Sequence, residues 1–235
     1  MNTLILEQEA FISEFQCQLS VRQLQHIQNV LKSHLGDQLT VAKLNGAMGT
    51  ACLAEKQGQL ILTDIRLESD APRQLPLSLI LALPRPQMLK RILQTVACFG
   101  VQHLHLIHSN RVEKSFWQSP SATDEAIKEQ LILGVEQAKA SQLPTVSKHR
   151  RFKTFIEDYA PEIIRNKKAT VAHPGPYPLF ETERETPKII AIGPEGGFSD
   201  YEIERFVEQG FETRQLGERI LKVETAVTAL LGRCL

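Results

Sequence analysis

The sequence predicts an α/β protein, with a parallel sheet and flanking helices over residues 73–235 and a small β-barrel before it in residues 1–70. Three observations carry this. From Leu77 onward, apolar runs of strand length alternate with helical stripes, the pattern of βα units. Up to about Ser69 the chain breaks into short alternating segments separated by turn-forming pairs. Near the C-terminus two predicted strands stop at glycines and restart as helices, and open α/β sheets bind small ligands at such strand ends.

Taken in order, Leu24, Ile27, Val30 and Leu31 share one side of a predicted helix. Gly36-Asp37, Asn45-Gly46 and Gln57-Gly58 then mark turns between short strands. Ser69-Asp70-Ala71-Pro72 is a compositional seam. Leu77 to Leu83 follows as a buried strand, and Pro84-Arg85-Pro86 as a stiff connection. Met88, Leu89, Ile92, Leu93 and Val96 line a helix that runs until Gly100. His103 to His108 reads as a strand with its histidines alternating with Leu104 and Leu106. A metal site is conceivable there, but no Cys or carboxylate partner is near, and polar surface or local hydrogen bonding is the simpler reading. Thr123 caps a helix whose first turn holds Asp124 and Glu125, both favourable to the helix dipole. Ala169 to Ala172 is a further strand.

The segment Lys188 to Ser199, KIIAIGPEGGFS, says most about function. Ile189 to Ile192 suits a strand buried on both faces. Gly193, Gly196 and Gly197 open backbone angles closed to other residues and leave the main chain bare. Ser199 and Glu202 have capping-box spacing, Ile203, Phe206 and Val207 form the apolar stripe behind it, and Gly210 is a suitable stop. Neither a P-loop nor a GxGxxG fingerprint is present, so a ligand held here need not carry phosphates. By itself the segment reads first as a tight strand-to-helix connection. A second segment, LGERILKVETA from Leu216 to Ala226, shifts the balance. It follows a predicted strand, Glu212 to Leu216, and Gly217 opens the turn. Arg219 and Lys222 lie beside that turn, and Glu224 begins a helix through Val227, Leu230 and Leu231.

Bulk properties narrow the class. A chain of 235 residues, 42% hydrophobic and 23% charged, suits a soluble protein of one large or two small domains. No apolar run approaches the roughly 20 residues of a membrane span. The opening MNTLILEQEAF carries Glu7 and Glu9 and lacks a basic n-region, unlike a secretion signal. Cys17, Cys52, Cys98 and Cys234 are scattered, without metal-ligand spacing, and read as reduced thiols in a cytoplasmic protein. Lys plus Arg and Asp plus Glu stand at 27 each. A free-standing RNA binder is usually more basic, so any RNA surface must be local. Lys148-His149-Arg150-Arg151-Phe152-Lys153 and Arg165-Asn166-Lys167-Lys168 are the available clusters, and each reads first as solvated surface.

Both C-terminal segments resemble motifs of the bacterial 16S rRNA uridine-N3 methyltransferase family (the RsmE family), within the knotted SPOUT superfamily of S-adenosyl-L-methionine enzymes. Further likenesses follow in order along the chain. His26-Ile27 with Val30-Leu31-Lys32 is similar to an HI-x-x-VL-basic stretch, and Ser109-Asn110-Arg111-Val112 to an Arg-bearing loop. Glu136-Gln137 resembles the start of an EQ-containing helix motif, and His173-Pro174 a first cofactor-side loop. The chain departs from the pattern in three places. Nothing basic precedes Arg22, Ala138-Lys139-Ala140 stands where Ser-Gly-Arg is usual, and Pro84-Arg85-Pro86 replaces a polar, Lys-containing turn.

The resemblance implies a knotted SPOUT-type methyltransferase domain with a parallel sheet over residues 73–235, and a PUA-like RNA-binding barrel over residues 1–70. It implies S-adenosyl-L-methionine held by His173, Gly193, Pro194, Glu195, Gly196, Gly197, Leu216, Gly217, Ile220, Leu221, Thr225 and Ala226. It also implies a homodimer through the knotted domain and a 16S rRNA substrate within the 30S subunit. For RNA, Arg111 and Lys32 match basic family positions, Arg150 and Arg151 belong to the first basic cluster, and Lys222 flanks the second loop. Methyl transfer to uracil N3 requires loss of its proton. Arg219 or Lys222 can stabilise the resulting charge, and Glu195 and Glu224 are conceivable bases or, equally, acceptors of loop N–H groups. The proton acceptor stays open, as do a divergent relative with another RNA target and an inactive RNA-binding relative.

Overall fold

A computed structural model describes residues 3–235. The chain divides into two compact units, Met1–Arg73 with Ile132–Leu143, and Gln74–Leu131 with Pro144–Leu235.

The first unit is a six-stranded sheet in the order β1-β4-β5-β6-β3-β2, from β1 (Leu4–Leu6), β2 (Phe11–Ser13), β3 (Gln16–Gln18), β4 (Gln38–Lys43), β5 (Met48–Lys56) and β6 (Gln59–Ser69). β1 runs parallel to β4, and the other pairs are antiparallel. The outer strands β1 and β2 do not pair with each other, so the expected barrel is an open, half-closed sheet. Leu4, Val41, Leu53 and Leu62 fill its core, with Ile27 wedged among them.

Ile27 comes from α1 (Val21–His26), opened by a Ser20–Gln23 capping box, and from the π-helical turn Ile27–Leu31 that continues it. The expected stripe Leu24, Ile27, Val30, Leu31 is therefore only partly inward: Ile27 is fully buried, whereas Val30 is 63% exposed. A π turn winds more widely than 3.6 residues, which rotates Val30 off the buried face.

Glu136, in α3 (Asp124–Ala138), belongs to this unit and is buried. Arg22 meets its carboxylate with two parallel hydrogen bonds of 2.8 Å each. The Glu136 carbonyl accepts Thr3 N–H at 3.2 Å, and Leu143 N–H reaches Asn45 Oδ1 at 2.8 Å. These bonds explain why a segment so late in the chain packs with the first sheet.

The second unit is a fully parallel six-stranded sheet in the order β12-β10-β11-β7-β8-β9. Its strands are β7 (Leu75–Ala82), β8 (Val101–Ile107), β9 (Thr145–His149), β10 (Lys168–Ala172), β11 (Lys188–Ile192) and β12 (Glu212–Arg214). Helix α2 (Pro86–Cys98) starts with Pro at its first position and buries Leu89, Ile92, Leu93 and Val96, as the spacing predicts. Between β9 and β10 lie α4 (Phe152–Thr154), a π turn and α5 (Ala160–Ile163). The chain then crosses to the other side of the sheet, laying β11 between β10 and β7 and β12 outside β10.

Helix α6 (Asp200–Glu208) has the predicted capping box, and α7 (Val223–Gly232) closes the chain. Two local expectations change. The inward face of α6 is formed by Glu202, Ile203 and Phe206, so Val207 falls at its border and is half exposed. β12 stops at Arg214 rather than Leu216, and Gln215 makes only an isolated bridge to Leu179.

Arg22→Ala leaves the buried Glu136 carboxylate without its fork. Loss of about 1–3 kcal/mol is expected, read as a lower urea midpoint at unchanged slope.

Candidate active site

Parallel strands present their C-terminal ends on one side of the sheet. The loops after β7, β8, β10, β11 and β12 converge there and enclose a cleft of about 880 Å³, within the range of small-molecule sites.

The turn after β11 forms its floor. At Gly193 the chain doubles back so closely that a Cβ would lie 2.9 Å from Phe198 N and 3.1 Å from the Gly197 carbonyl carbon. Gly197 sits at φ +72° and donates its N–H to Pro194 O at 2.7 Å, which closes the turn. Phe198 is buried against Phe206, fixing the turn to α6. The main chain from Gly193 to Gly197 thus faces the cleft with no β-carbon at three of its five positions.

Side chains from neighbouring loops fix the turn from above. The Glu195 carboxylate accepts Arg85 N–H at 3.1 Å, tying the β7 loop to the glycine turn. Arg111 donates to Gly196 O, and its stem lies where a Gly196 Cβ would come within 3.0 Å of Cδ. His173 follows β10 and donates its N–H to Arg214 O at 2.9 Å. Burial lowers its pKa, Asp200 raises it in part and Arg111 lowers it again, so the ring is neutral at pH 7. The remaining wall is Leu216, Gly217, Arg219, Ile220, Leu221, Lys222, Glu224 and Ala226. Arg219 and Lys222 are exposed and Glu224 is half-buried. Among the described residues, none of these three side chains has a hydrogen bond or ion pair.

The structure thus gathers His173, Gly193 to Gly197, Leu216, Gly217, Ile220, Leu221 and Ala226 around one cleft, with Arg111, Arg219, Lys222 and Glu224. Thr225 is exposed on α7 and does not line it. Arg150 stacks over Trp117 with 5.5 Å to the ring centroid, Arg151 is exposed before α4, and Lys32 lies in the first unit. Sequence reasoning missed Arg85, Gln87, Met88 and Arg91 at the start of α2, and Asp200. Their signal was available: Pro84-Arg85-Pro86 follows a predicted parallel strand, and such strand ends face the ligand side.

An RNA methyltransferase domain model matches residues 71–235. Ribosomal RNA small subunit methyltransferase E of Treponema pallidum is 30% identical over 240 residues, spanning 97% of this chain and 88% of that protein. The chain belongs to this methyltransferase family. The protein of the same name as the Treponema relative in a Synechocystis strain is 28% identical over 221 residues, with 92% of this chain and 71% of that protein covered. The crystal structure of the Neisseria gonorrhoeae member, bound to S-adenosyl methionine, superposes with a TM-score of 0.74 at 20% identity, covering 98% of this chain and 95% of that one. The family fold, with an N-terminal open sheet and a parallel methyltransferase sheet, is therefore the fold of this protein.

The strand expected over His103 to His108 is β8, which ends at Ile107, so His108 lies just after it, and none of the three histidines lines the cleft. His103 is exposed, His105 is buried beside His149 and Phe155, and His108 accepts the Trp117 indole N–H at 3.1 Å. Local hydrogen bonding holds for His108 alone, since His105 Nδ1 has no partner among the described residues. Burial, then the charges of His149, His103 and Lys167, pushes His105 down to about 4.

Two outcomes follow from these geometries. Gly193→Ala forces the turn open against backbone atoms, and a loss of about 1–3 kcal/mol in denaturant unfolding is expected. For His105 the unfolded chain takes the proton first, near its ordinary pKa of about 6.5. Stability should then fall as pH drops from about 6.5 towards about 4, by up to roughly 3 kcal/mol, and His105→Leu should flatten that part of the profile.

Proposed function

We propose that the protein transfers the methyl group of S-adenosyl-L-methionine to N3 of a specific uridine in 16S rRNA of the small ribosomal subunit. The observation that carries this reading is the glycine-lined cleft at the strand ends of a family methyltransferase sheet. Its chemistry fits the methyl donor. Bare main chain at Gly193, Gly196 and Gly197 allows flat approach of an adenosine, and neutral His173 adds an uncharged ring. Both signs of charge line the walls, Glu195, Asp200 and Glu224 with Arg111, Arg219 and Lys222, as suits a ligand carrying an amino acid and a sulfonium. On this reading His173, Gly193 to Gly197, Leu216, Gly217, Ile220, Leu221 and Ala226 hold it.

When bound, S-adenosyl-L-methionine supplies an electrophilic methyl carbon on a positively charged sulfur. This chain's own residues must hold the uracil in line with that carbon, take the N3 proton and stabilise the charge that spreads onto the uracil oxygens. Glu195 is committed to Arg85 N–H, which fits its loop-orienting role. Glu224 has no such commitment and lies at the first turn of α7, so it is assigned as proton acceptor. Arg219 and Lys222, without a partner among the described residues, stabilise the uracil oxygens.

RNA contacts complete the reading. Arg111 and Lys222 lie at the cleft, Arg150 and Arg151 contact phosphates from the same unit, and Lys32 does so from the first unit. The N-terminal unit, near residues 1–70, serves as the PUA-like RNA-holding module, and residues 73–235 as the knotted catalytic domain. A homodimer through that domain, working in the cytoplasm on the 30S subunit, fits the family likeness.

The test is single-turnover transfer from labelled S-adenosyl-L-methionine to 30S subunits of a strain lacking this protein, with the modified base mapped by mass spectrometry. One N3-methyluridine in 16S rRNA is expected, and Glu224→Gln should lower the transfer rate by roughly 10²–10⁴-fold. Unlabelled rRNA, or label at another atom, would overturn the assignment.

A further inference from the structure

We propose that Glu202 is a positioning residue for the cleft: its buried carboxylate latches the Ser109–Arg111 loop to the start of α6 and so holds Arg111 across the glycine turn. The inference rests on the reading of the cleft as the methyl-donor site, and it concerns a residue whose sequence signature is only that of a helix cap.

Glu202 is 2% exposed. A carboxylate so removed from water needs donors for both oxygens. Oε2 accepts the Ser199 N–H at 2.9 Å and the Ser199 hydroxyl at 3.0 Å, which is the cap. Oε1 accepts the Asn110 N–H at 2.7 Å, from a loop 92 residues earlier in the chain. A capping box requires only the first set. The second bond is surplus to the helix and joins the end of β8 to the turn after β11.

What that bond positions is the next residue. Arg111 runs its stem along Gly196 and donates to the Gly196 carbonyl, so its guanidinium closes one side of the cleft. The loop has little else to hold it at this point. The Ser109 hydroxyl is buried without a partner among the described residues, and the local turn is closed by Val112 N–H to Ser109 O at 3.0 Å. One carboxylate therefore fixes the cap of α6 and the wall opposite the glycine turn at the same time. Movement of either is transmitted to the other through this side chain and through the Arg111 bond to Gly196 O.

Glu202→Gln keeps the shape but turns an amide NH2 towards one of three donors. S-adenosylhomocysteine affinity, read by calorimetry, should fall roughly ten- to hundredfold, the scale for a lost bond to a charged group. With Arg111→Ala already in place, adding Glu202→Gln should cost less than about threefold more, because both act through one loop. Effects that multiply in the double variant would overturn the proposal. Amide exchange at Asn110 should be slow in the wild type and fast in Glu202→Gln, and equal rates would overturn it too. Ser199→Ala breaks the cap and leaves the Asn110 bond, so Asn110 protection should survive and affinity should stay within about threefold. A loss as large as that of Glu202→Gln would reduce Glu202 to a helix cap. If the wild type fails to bind S-adenosylhomocysteine, the functional reading falls, and Asn110 exchange still decides the latch.

Discussion

At Gly193 the chain leaves a strand buried along its whole length and reverses within five residues. No β-carbon fits there, because the Phe198 amide nitrogen would lie 2.9 Å from it. That reversal sets what the cleft can be. It exposes main chain in place of side chains, and it starts α6 immediately beside the floor, with Phe198 buried against Phe206 as the anchor. Other loops then close onto this turn through its few polar handles: Arg85 N–H onto Glu195, Arg111 onto the Gly196 carbonyl, and Asn110 N–H onto Glu202. Each bond joins segments at least 85 residues apart. The site is thus assembled by tertiary hydrogen bonds converging on a locally determined corner.

Strand order explains why that corner has so many neighbours. In a parallel sheet every strand delivers its loop to the same side, and inserting β11 between β10 and β7 puts three late loops next to two early ones. Had β11 been added at the edge, the His173 loop would still meet Leu216 to Ala226, but Arg85 would lie too far from the glycine turn to be held by Glu195. The crossover from β9 is consequently a functional feature, since it brings cations encoded before residue 112 to a turn encoded after residue 192.

Much of this was legible in the sequence because the governing rules are local. The capping box Ser199–Glu202, the strand Lys188–Ile192, the α2 stripe and Thr123 as helix cap depend on neighbours within four residues. What failed to show depended on wider context. Val30 kept helical spacing with Ile27, but a π turn changes the angle per residue and no simple period reveals one. The expected barrel stays open because closure depends on whether β1 and β2 meet, which turn positions do not encode. Glu202 looked like half of a cap, since its second oxygen is committed to a residue 92 positions away.

Charge makes the same point about range. Equal numbers of acidic and basic residues argued that any RNA surface must be local, and the structure shows how a neutral chain concentrates positive charge. Several cations are neutralised inside their own unit: Arg22 by Glu136, Lys148 by Asp124 at 2.6 Å, Arg214 by Glu212. Lys167 is turned to Ser78, and Lys188 is buried against the carbonyls of Glu183 and Arg184. Arg219 and Lys222 have no such partner among the described residues, and both stand at the cleft. The basic runs conspicuous in the sequence are thus partly spent on structure, whereas these two cations on a glycine-opened loop have no partner among the described residues and face the cleft. Arg22 adds a further twist to the missing early arginine. Nothing basic precedes Arg22 in this chain, and that arginine is drawn inward to the buried Glu136. Where a carboxylate is buried, its partner is fixed by the cost of leaving it bare, so the fold itself claims that arginine.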